Sequence, residues 1–316
     1  TPADVARAAQ AATQASLRFS DSLMSCPSRE DDGSVLLSEE GSCLWADMSG
    51  LARQMSRQGS SPETTEAAFV LYGGAQVEVH PGWFAGAALG YERSRYDTSL
   101  SDGDGDRFHA GAVVKRVFGS TTLAASASGG LGDASFDRDF LVPFAAAGGT
   151  VDADLYWLGG HLRASHRLAL TQTAFLEPLV DVGLTHVVSE PTTISGGLPF
   201  TRHVSRSDAT VVSVNPAARL GTAFTVAGVT AQAELRAGVL ALLGDTSFGA
   251  TVTAGGLGEA AVGFSVDDDS DRIFADLGLA LEAGLGEGVS LEATVDALLG
   301  EHEQDVAGGL RLSISF

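Results

Sequence analysis

Residues 229–240 read VTAQAELRAGVL, and every second one is apolar. In an extended chain Val229, Ala231, Ala233, Leu235, Ala237 and Val239 share one face, and Thr230, Gln232, Glu234 and Arg236 share the other, because successive side chains of a strand point to opposite sides. A helix would need its apolar positions three or four apart. The same split runs through 176–186, where Pro178, Val180, Val182 and Leu184 oppose Glu177, Asp181 and Thr185. It recurs in 289–297, where Val289, Leu291, Ala293 and Val295 oppose Ser290, Glu292, Thr294 and Asp296. At the end of the sequence Leu310, Leu312, Ile314 and Phe316 alternate with Arg311, Ser313 and Ser315. A soluble sandwich and a sheet with one face in lipid share this alternation, so it leaves the two open.

Strand and loop lengths separate them. Twelve alternating segments are predicted, at 44–55, 68–79, 83–96, 107–118, 121–135, 152–169, 174–188, 209–226, 229–243, 272–284, 289–299 and 305–316. Most reach the roughly 9 to 11 residues of a tilted transmembrane strand, against about 5 or 6 in soluble sheets. Tight links at 80–82 (HPG), 119–120 (GS), 170–173 (LTQT), 227–228 (AG) and 286–288 (GEG) alternate with wider ones at 56–67, 97–106, 136–151, 189–208, 244–271 and 300–304. Short turns on one rim, long loops on the other and an even strand number are the plan of an outer-membrane barrel. The predicted fold is therefore all-β: a transmembrane 12-stranded antiparallel β-barrel over residues 44–316.

Composition agrees. Asp+Glu 40 against Lys+Arg 19 give a formal charge of -21, which excludes nucleic acid as a partner because phosphate would be repelled. Mean hydropathy is nevertheless +0.14. The 39 glycines exceed the usual share of about 7%. No stretch approaches the roughly 18 apolar residues of a membrane helix, so a membrane can be crossed only by strands.

Residues 1–43 differ in kind. The segment 1–25, TPADVARAAQAATQASLRFSDSLMS, holds seven alanines, with Thr1 placed as an N-cap, Pro2 at the first helical position and Asp4 at the positive helix end. It has no wide apolar stripe and carries Arg7, Gln14 and Arg18 around its circumference, which suits a polar tunnel better than lipid. A twelve-stranded barrel has room for about one helix, so an α-helix in the pore is expected. Period two then assigns Glu177, Asp181, Glu234, Arg236, Glu282, Glu292 and Asp296 to the lumen, with Arg7 and Arg18 as partners for some of these carboxylates. Trp83, Tyr91, Tyr96 and Tyr156 are assigned to the aromatic girdles. The loop 244–271 is the least polar, with Phe248, Val252, Leu257, Val262 and Phe264, and is expected to fold over the mouth.

The segments SCLWADMSGLARQM (42–55), FVLYGGAQVEVHPGWFAGAALGYERSRYD (69–97), EPLVDVGLTHVV (177–188), ARLGTAF (218–224) and GGLRLSISF (308–316), in this order and spacing, resemble the translocator domain of autotransporters, the type V secretion proteins. The resemblance covers essentially the whole chain. It implies a pore in the outer membrane of a Gram-negative bacterium, a helix in that pore, and a passenger domain upstream of it that is exported and anchored at the cell surface. The passenger is expected to lie outside this sequence. The ending at Leu310, Leu312, Ile314 and Phe316 resembles the C-terminal signal read by the outer-membrane barrel assembly machinery. Lipid and lipopolysaccharide are the expected surroundings, and a monomer the expected state. The alternative is a porin-like small-molecule channel plugged by its N-terminal helix.

Against that resemblance, Cys26 and Cys43 bracket an acidic insertion, CPSREDDGSVLLSEEGSC. An oxidising periplasm predicts a disulfide between them at the inner mouth, worth about 3 kcal/mol by loop closure. Some members of the family sever the passenger by asparagine cyclisation inside the barrel. The one asparagine here is Asn215, in a strand, so the helix offers only Asp4 and Asp21, which cyclise far less readily. Asp102, Asp104 and Asp106 fall at alternate positions, but Arg107 stands where an EF-hand needs glycine, so they are read as solvated carboxylates. No nucleophile elbow or zinc-protease motif occurs and the seven histidines are scattered, so neither catalysis nor a cofactor is expected.

Overall fold

The computed structural model describes residues 2–28, 39–57, 63–99, 101–142, 145–194, 201–245, 247–255, 262–269, 271–286 and 288–316. Helix α1 spans Pro2–Leu23, as its alanine content requires, and its end is closed by the Met24 amide on the carbonyls of Ser20 and Asp21. Among the described residues no helix is long and apolar enough to cross a membrane. Thr1, the expected N-cap, and residues 29–38 of the acidic insertion lie outside the described residues.

Twelve long strands follow: β1 (Cys43–Met55), β2 (Thr64–His80), β3 (Trp83–Thr98), β4 (Asp102–Phe118), β5 (Thr121–Val142), β6 (Ala145–His166), β7 (Ala174–Ser189), β8 (Ser207–Val226), β9 (Val229–Gly244), β10 (Ile273–Gly286), β11 (Val289–Leu299) and β12 (Glu303–Ser315). Each pairs antiparallel with its sequence neighbours. β12 pairs with β1 from Ser315↔Cys43 to Glu303↔Met55, closing the sheet so that no edge faces lipid. Several tight turns use left-handed backbone, as at Gly82 and Gly119, where glycine carries no Cβ penalty.

The strands run longer than predicted at the outer rim. The predicted links 97–106 and 136–151 are largely strand, in β3 to β6, while the predicted strand 152–169 ends at His166 and leaves a two-residue piece, Leu168–Ala169, on β7. The physical reason is an inversion of polarity along the strand. On β5 the outward residue Leu131 is exposed, and beyond it Asp133 and Asp137 are exposed while Ala134 and Phe136 turn inward and are buried. β6 repeats this: Asp152 and Asp154 point out, and Val151, Ala153 and Leu155 point in. Below that level the barrel is apolar outside, as lipid demands. Above it the wall is polar outside and encloses an apolar core on the β5 to β9 side, as water demands, while the outer ends of β1, β2 and β12 bury Arg53, Glu66, Glu303 and Asp305.

Two outer loops build a cap. Strands Thr192–Ile194, Thr201–Val204, Ser247–Gly255 and Val262–Asp269 form a four-stranded sheet in that order. Its last two strands lie against α1, and Ile194 and Val204 join the apolar cluster that surrounds Val5, Ala8 and Ala12. The expected folding of 244–271 over the mouth thus has a backbone basis. Leu257 lies outside the described residues, as do the side chains of Phe248, Val252, Val262 and Phe264.

Candidate functional site: the occupied lumen

A 22-residue helix is about 33 Å long, close to the roughly 30 Å of a bilayer core. Its direction is fixed at both ends. Near the N-terminus Ser101 Oγ, from the outer link between β3 and β4, donates to Asp4 Oδ1 at 3.0 Å. At the other end a disulfide joins Cys26 to Cys43 at the start of β1, Cα to Cα 6.3 Å, on the rim of the tight turns. The pairing of Pro27–Ser28 with Glu39–Glu40 continues the clasp, and Glu40 accepts from Lys115 Nζ at 2.8 Å and from Gln76 Nε2 at 3.1 Å.

Between these ends the small face of α1 (Ala8, Ala11, Ala12 and Ala15) is fully buried. Phe19 is the one large ring on the helix. It stacks on His109 at 5.1 Å and meets Tyr72 edge-on at 5.2 Å, with Trp157 completing the box 5.0 Å from His109. Such pairs contribute about 0.5–1.5 kcal/mol each beyond the area they bury.

Outward of this box, at the outer ends of β1, β2 and β12, lies an ion-pair network. Arg53 reaches Glu66 at 2.8 Å and Asp305 at 2.9 Å; Arg107 reaches Glu66 and Glu92, both at 2.6 Å, and donates to Tyr96 Oη. The helix enters through Arg18, 2.6 Å from Asp305 and 3.8 Å from Glu92, and through Gln10, which donates to Glu303 at 2.8 Å. Lower down Arg163 links Asp21 of the helix to Asp181, and Arg236 lies between Asp276 at 2.9 Å and Asp296 at 3.2 Å, with Asp21 at 3.6 Å. Arg311 donates to Ser22 Oγ at 2.6 Å and lies over the Trp45 ring. Buried charges are tolerated only when paired in this way.

The described residues singled out in the sequence have definite places. Arg7, Gln14 and Arg18 are inside the barrel; Arg7 donates to Gln10 at 3.4 Å and Arg18 makes the ion pairs above. Glu177 faces inward with Arg167 at 2.9 Å and Arg219 at 3.7 Å. Glu234 accepts from Gln232 at 2.5 Å, Glu282 lies directly across from Glu292, and both line the lumen with Asp181, Arg236 and Asp296. Asn215 donates to Asp276 in the lumen wall, on β8 and not on the helix. Asp102, Asp104 and Asp106 lie on β4, and Asp106 accepts from Tyr91 Oη at 2.5 Å. Leu310, Leu312 and Ile314 face outward, and the Phe316 amide bonds the Ser42 carbonyl.

The aromatic assignment needs one correction. Trp83, Tyr91 and Tyr156 are outward, and Tyr91, Phe108, Leu131 and Tyr156 form one cross-strand row at the level where polarity inverts. Trp83 marks the opposite rim, with Arg116 over its ring at 5.2 Å. Tyr96 is instead only 2% exposed and faces the lumen, bonded to Arg107. It shares parity with Phe84 and Glu92, and an even offset on a strand means the same face. Sequence reasoning also missed Phe19 and the carboxylates Glu66, Glu92 and Asp305. Their inward parity was the available signal, but at the outer end of β3 both faces carry charge, and Glu66 fell within the predicted link 56–67.

Comparison with known proteins agrees with this architecture. The translocator domain of autotransporter NalP from Neisseria meningitidis is similar over 98% of this chain and 97% of its own, with a TM-score of 0.71 at 15% identity. The beta domain of the Bordetella autotransporter Brka aligns over 88% of this chain and 100% of its own, with a TM-score of 0.60 at 19% identity. The transport unit of the autotransporter AIDA-I from Escherichia coli covers 98% and 99%, with a TM-score of 0.55 at 13% identity. No curated protein matches the sequence. Likeness at such identities shows the fold, but the family described as Autotransporter beta-domain matches residues 44–296 of the sequence itself. The chain belongs to the autotransporter β-domain family, the outer-membrane pores through which Gram-negative bacteria export a passenger domain.

Proposed function

We propose that residues 44–316 act as the translocator barrel, and that residues 1–43 are the pore helix and clasp left in place once the passenger has passed. The observation that carries this is the direction of α1, with Asp4 bonded at the outer rim and Cys26 bonded at the inner one. A chain segment preceding Thr1 would therefore emerge at the cell surface, where the passenger stays anchored through the barrel. Arg7, Gln14 and Arg18 seat the helix against the lumen wall. Glu177, Asp181, Glu234, Arg236, Glu282, Glu292 and Asp296 keep the inner lumen hydrated. Leu310, Leu312, Ile314 and Phe316 present an outward-facing last strand to the barrel assembly machinery. Trp83, Tyr91 and Tyr156 seat the barrel among lipid and lipopolysaccharide, and the closed sheet suits a monomer. The family is a pore fold and not an enzyme family.

Surface accessibility tests the reading. An epitope placed before Thr1 is expressed behind a signal peptide in a Gram-negative host, and intact cells are treated with protease. Loss of the epitope with an intact barrel is expected. An epitope protected until the outer membrane is permeabilised would place the N-terminus in the periplasm and favour the porin-like channel.

A further inference from the structure

The inner lumen holds a cavity of about 760 Å³ beside the C-terminal part of α1, and every wall arginine that lines it reaches a carboxylate. Arg163 reaches Asp181, Arg167 and Arg219 reach Glu177, Arg236 reaches Asp276, and Arg311 reaches Asp47. Arg116 breaks this rule. It sits on the outward face of β4, between its cross-strand partners Trp83 on β3 and Leu123 on β5, both exposed. Among the described residues it enters no ion pair, and its acceptor in the protein is the Pro81 carbonyl, to which Nη1 donates at 2.6 Å. Its guanidinium lies over two rings, Trp83 at 5.2 Å and Phe118 at 4.8 Å. The turn makes room for it: Gly82 has a φ of +69°, and a Cβ there would stand 3.2 Å from Nη1. A guanidinium carries several N–H donors, and Arg116 has no nitrogen that is both buried and unpartnered, so the remaining donors open to the surroundings.

Depth says what those surroundings are. Trp83 and Tyr91 are eight residues apart on β3, about 20 Å along the barrel axis at about 3.3 Å per residue and a tilt of about 40°. That is most of an apolar band about 25 Å tall, which leaves Arg116 at the headgroup level of the rim with the tight turns. On that rim, the periplasmic one, the leaflet consists of glycerophospholipids. Arginine bonds phosphate oxygens in a bidentate fork, and a side chain already held by two rings and a carbonyl loses little freedom in doing so. The next row on the same face, Phe118, Thr121 and His166, adds a hydroxyl and an imidazole, bonded to each other at 2.8 Å. The chain as a whole carries a formal charge of -21 and repels anionic lipid, so a preference for such lipid has to come from a local site.

We propose that Arg116, held by Trp83, Phe118 and the Pro81 carbonyl, binds the phosphodiester of an anionic glycerophospholipid in the periplasmic leaflet. The inference rests on the barrel being transmembrane with its tight turns on the periplasmic side.

Trp83 is a built-in reporter. Trp45 and Trp157 are 4% exposed inside the barrel, whereas Trp83 is 42% exposed beside Arg116. The purified full chain is refolded into phosphatidylcholine liposomes in which a minority of the lipid is acyl-brominated phosphatidylglycerol or, in a matched set, acyl-brominated phosphatidylcholine, and tryptophan quenching is read. Phosphatidylglycerol is expected to occupy the site with about fivefold higher relative affinity, the preference that one basic residue at a lipid surface supplies. Arg116→Gln is expected to bring the ratio close to unity, and Arg93→Gln, outward at the other end of β3, to leave it unchanged. Equal quenching by the two lipids in the wild type, or a preference that survives Arg116→Gln, would overturn the proposal. Glycerol 3-phosphate at constant ionic strength is expected not to relieve the quenching; relief would mean that the site takes soluble phosphates and is not a lipid site. Folding of the variant is checked by the mobility of unheated and boiled samples, and if it does not fold the wild-type comparison of the two lipids decides alone. Failure of the barrel reading itself looks different: neither brominated lipid would quench at all.

Discussion

Leu279 and Glu282 lie three residues apart on β10 and are assigned opposite surroundings, so arginine at each position tests the faces of the barrel directly. Leu279 is 59% exposed and sits in an outward row between Leu235 and Val295. It is the seventh of 14 residues in its strand. At about 3.3 Å per residue and a tilt of about 40°, that puts it within a few ångström of the middle of an apolar band about 25 Å tall. A guanidinium there costs about 2 to 4 kcal/mol, or about 30- to 900-fold in the folding equilibrium. Glu282 points into the cavity beside Glu292, so Glu282→Arg replaces a like-charge neighbour with an opposite one and is expected to leave folding in lipid intact. The assay is refolding into liposomes, read from the mobility difference between unheated and boiled samples and from the urea midpoint. Leu285→Arg, close to the turn, is the control for depth and should cost little. Equal tolerance of Leu279→Arg and Glu282→Arg would refute the assignment of faces, and a worse outcome for Glu282→Arg would invert it.

Alkylation is expected to add mass at Cys26 and Cys43 only after reduction, and Cys43→Ser to lower stability by about 3 kcal/mol, read as a lower urea midpoint; labelling without reductant would exclude the bond in the isolated protein. Phe19→Ala removes a fully buried ring and is expected to weaken helix docking by about 3–5 kcal/mol, so that protease reaches α1 while the barrel keeps its folded mobility. Unchanged protection would show that the alanine face suffices. Arg53→Met strands Glu66 and Asp305 in part, because Arg107 and Arg18 still reach them, and is expected to cost about 3 kcal/mol, the low end for breaking a buried pair. Stability equal to wild type would mean that the remaining two arginines carry the network.

What was legible in the sequence was whatever a single period could report. The lipid-facing stretches of all twelve strands, the tight turns and the pore helix follow from alternation, glycine placement and alanine content, and β9 at 229–244 is found almost to the residue. The outer rim was legible only in part, because there the alternation persists with its sense reversed: Asp133, Asp152 and Asp154 fell within predicted strands, but Asp137 outside with Phe136 and Val151 inside fell in a predicted link. Read with the lipid rule, such a stretch looks like a loop; read with the rule for water, it is a strand. The same reversal hid the apolar cluster around the N-terminal part of the helix, in a lumen that was expected to be a polar tunnel. Tyr96 shows where the reading went wrong although the information was present. Once Trp83 is fixed as outward, strict parity along β3 sends Tyr96 inward with Glu92, and an aromatic near a strand end suggests a girdle only if that count is ignored. The direction of the helix is a different case. Nothing in an alanine-rich segment says which way it threads a pore, and here two local bonds far apart in the barrel decide it, Asp4 to Ser101 outside and Cys26 to Cys43 inside. Direction is therefore a property of the closed sheet, which brings the β3–β4 link and the start of β1 to opposite rims; the sequence reached it only through the strand count and the resemblance, which set the Cys26–Cys43 bond at the inner mouth and the passenger outside.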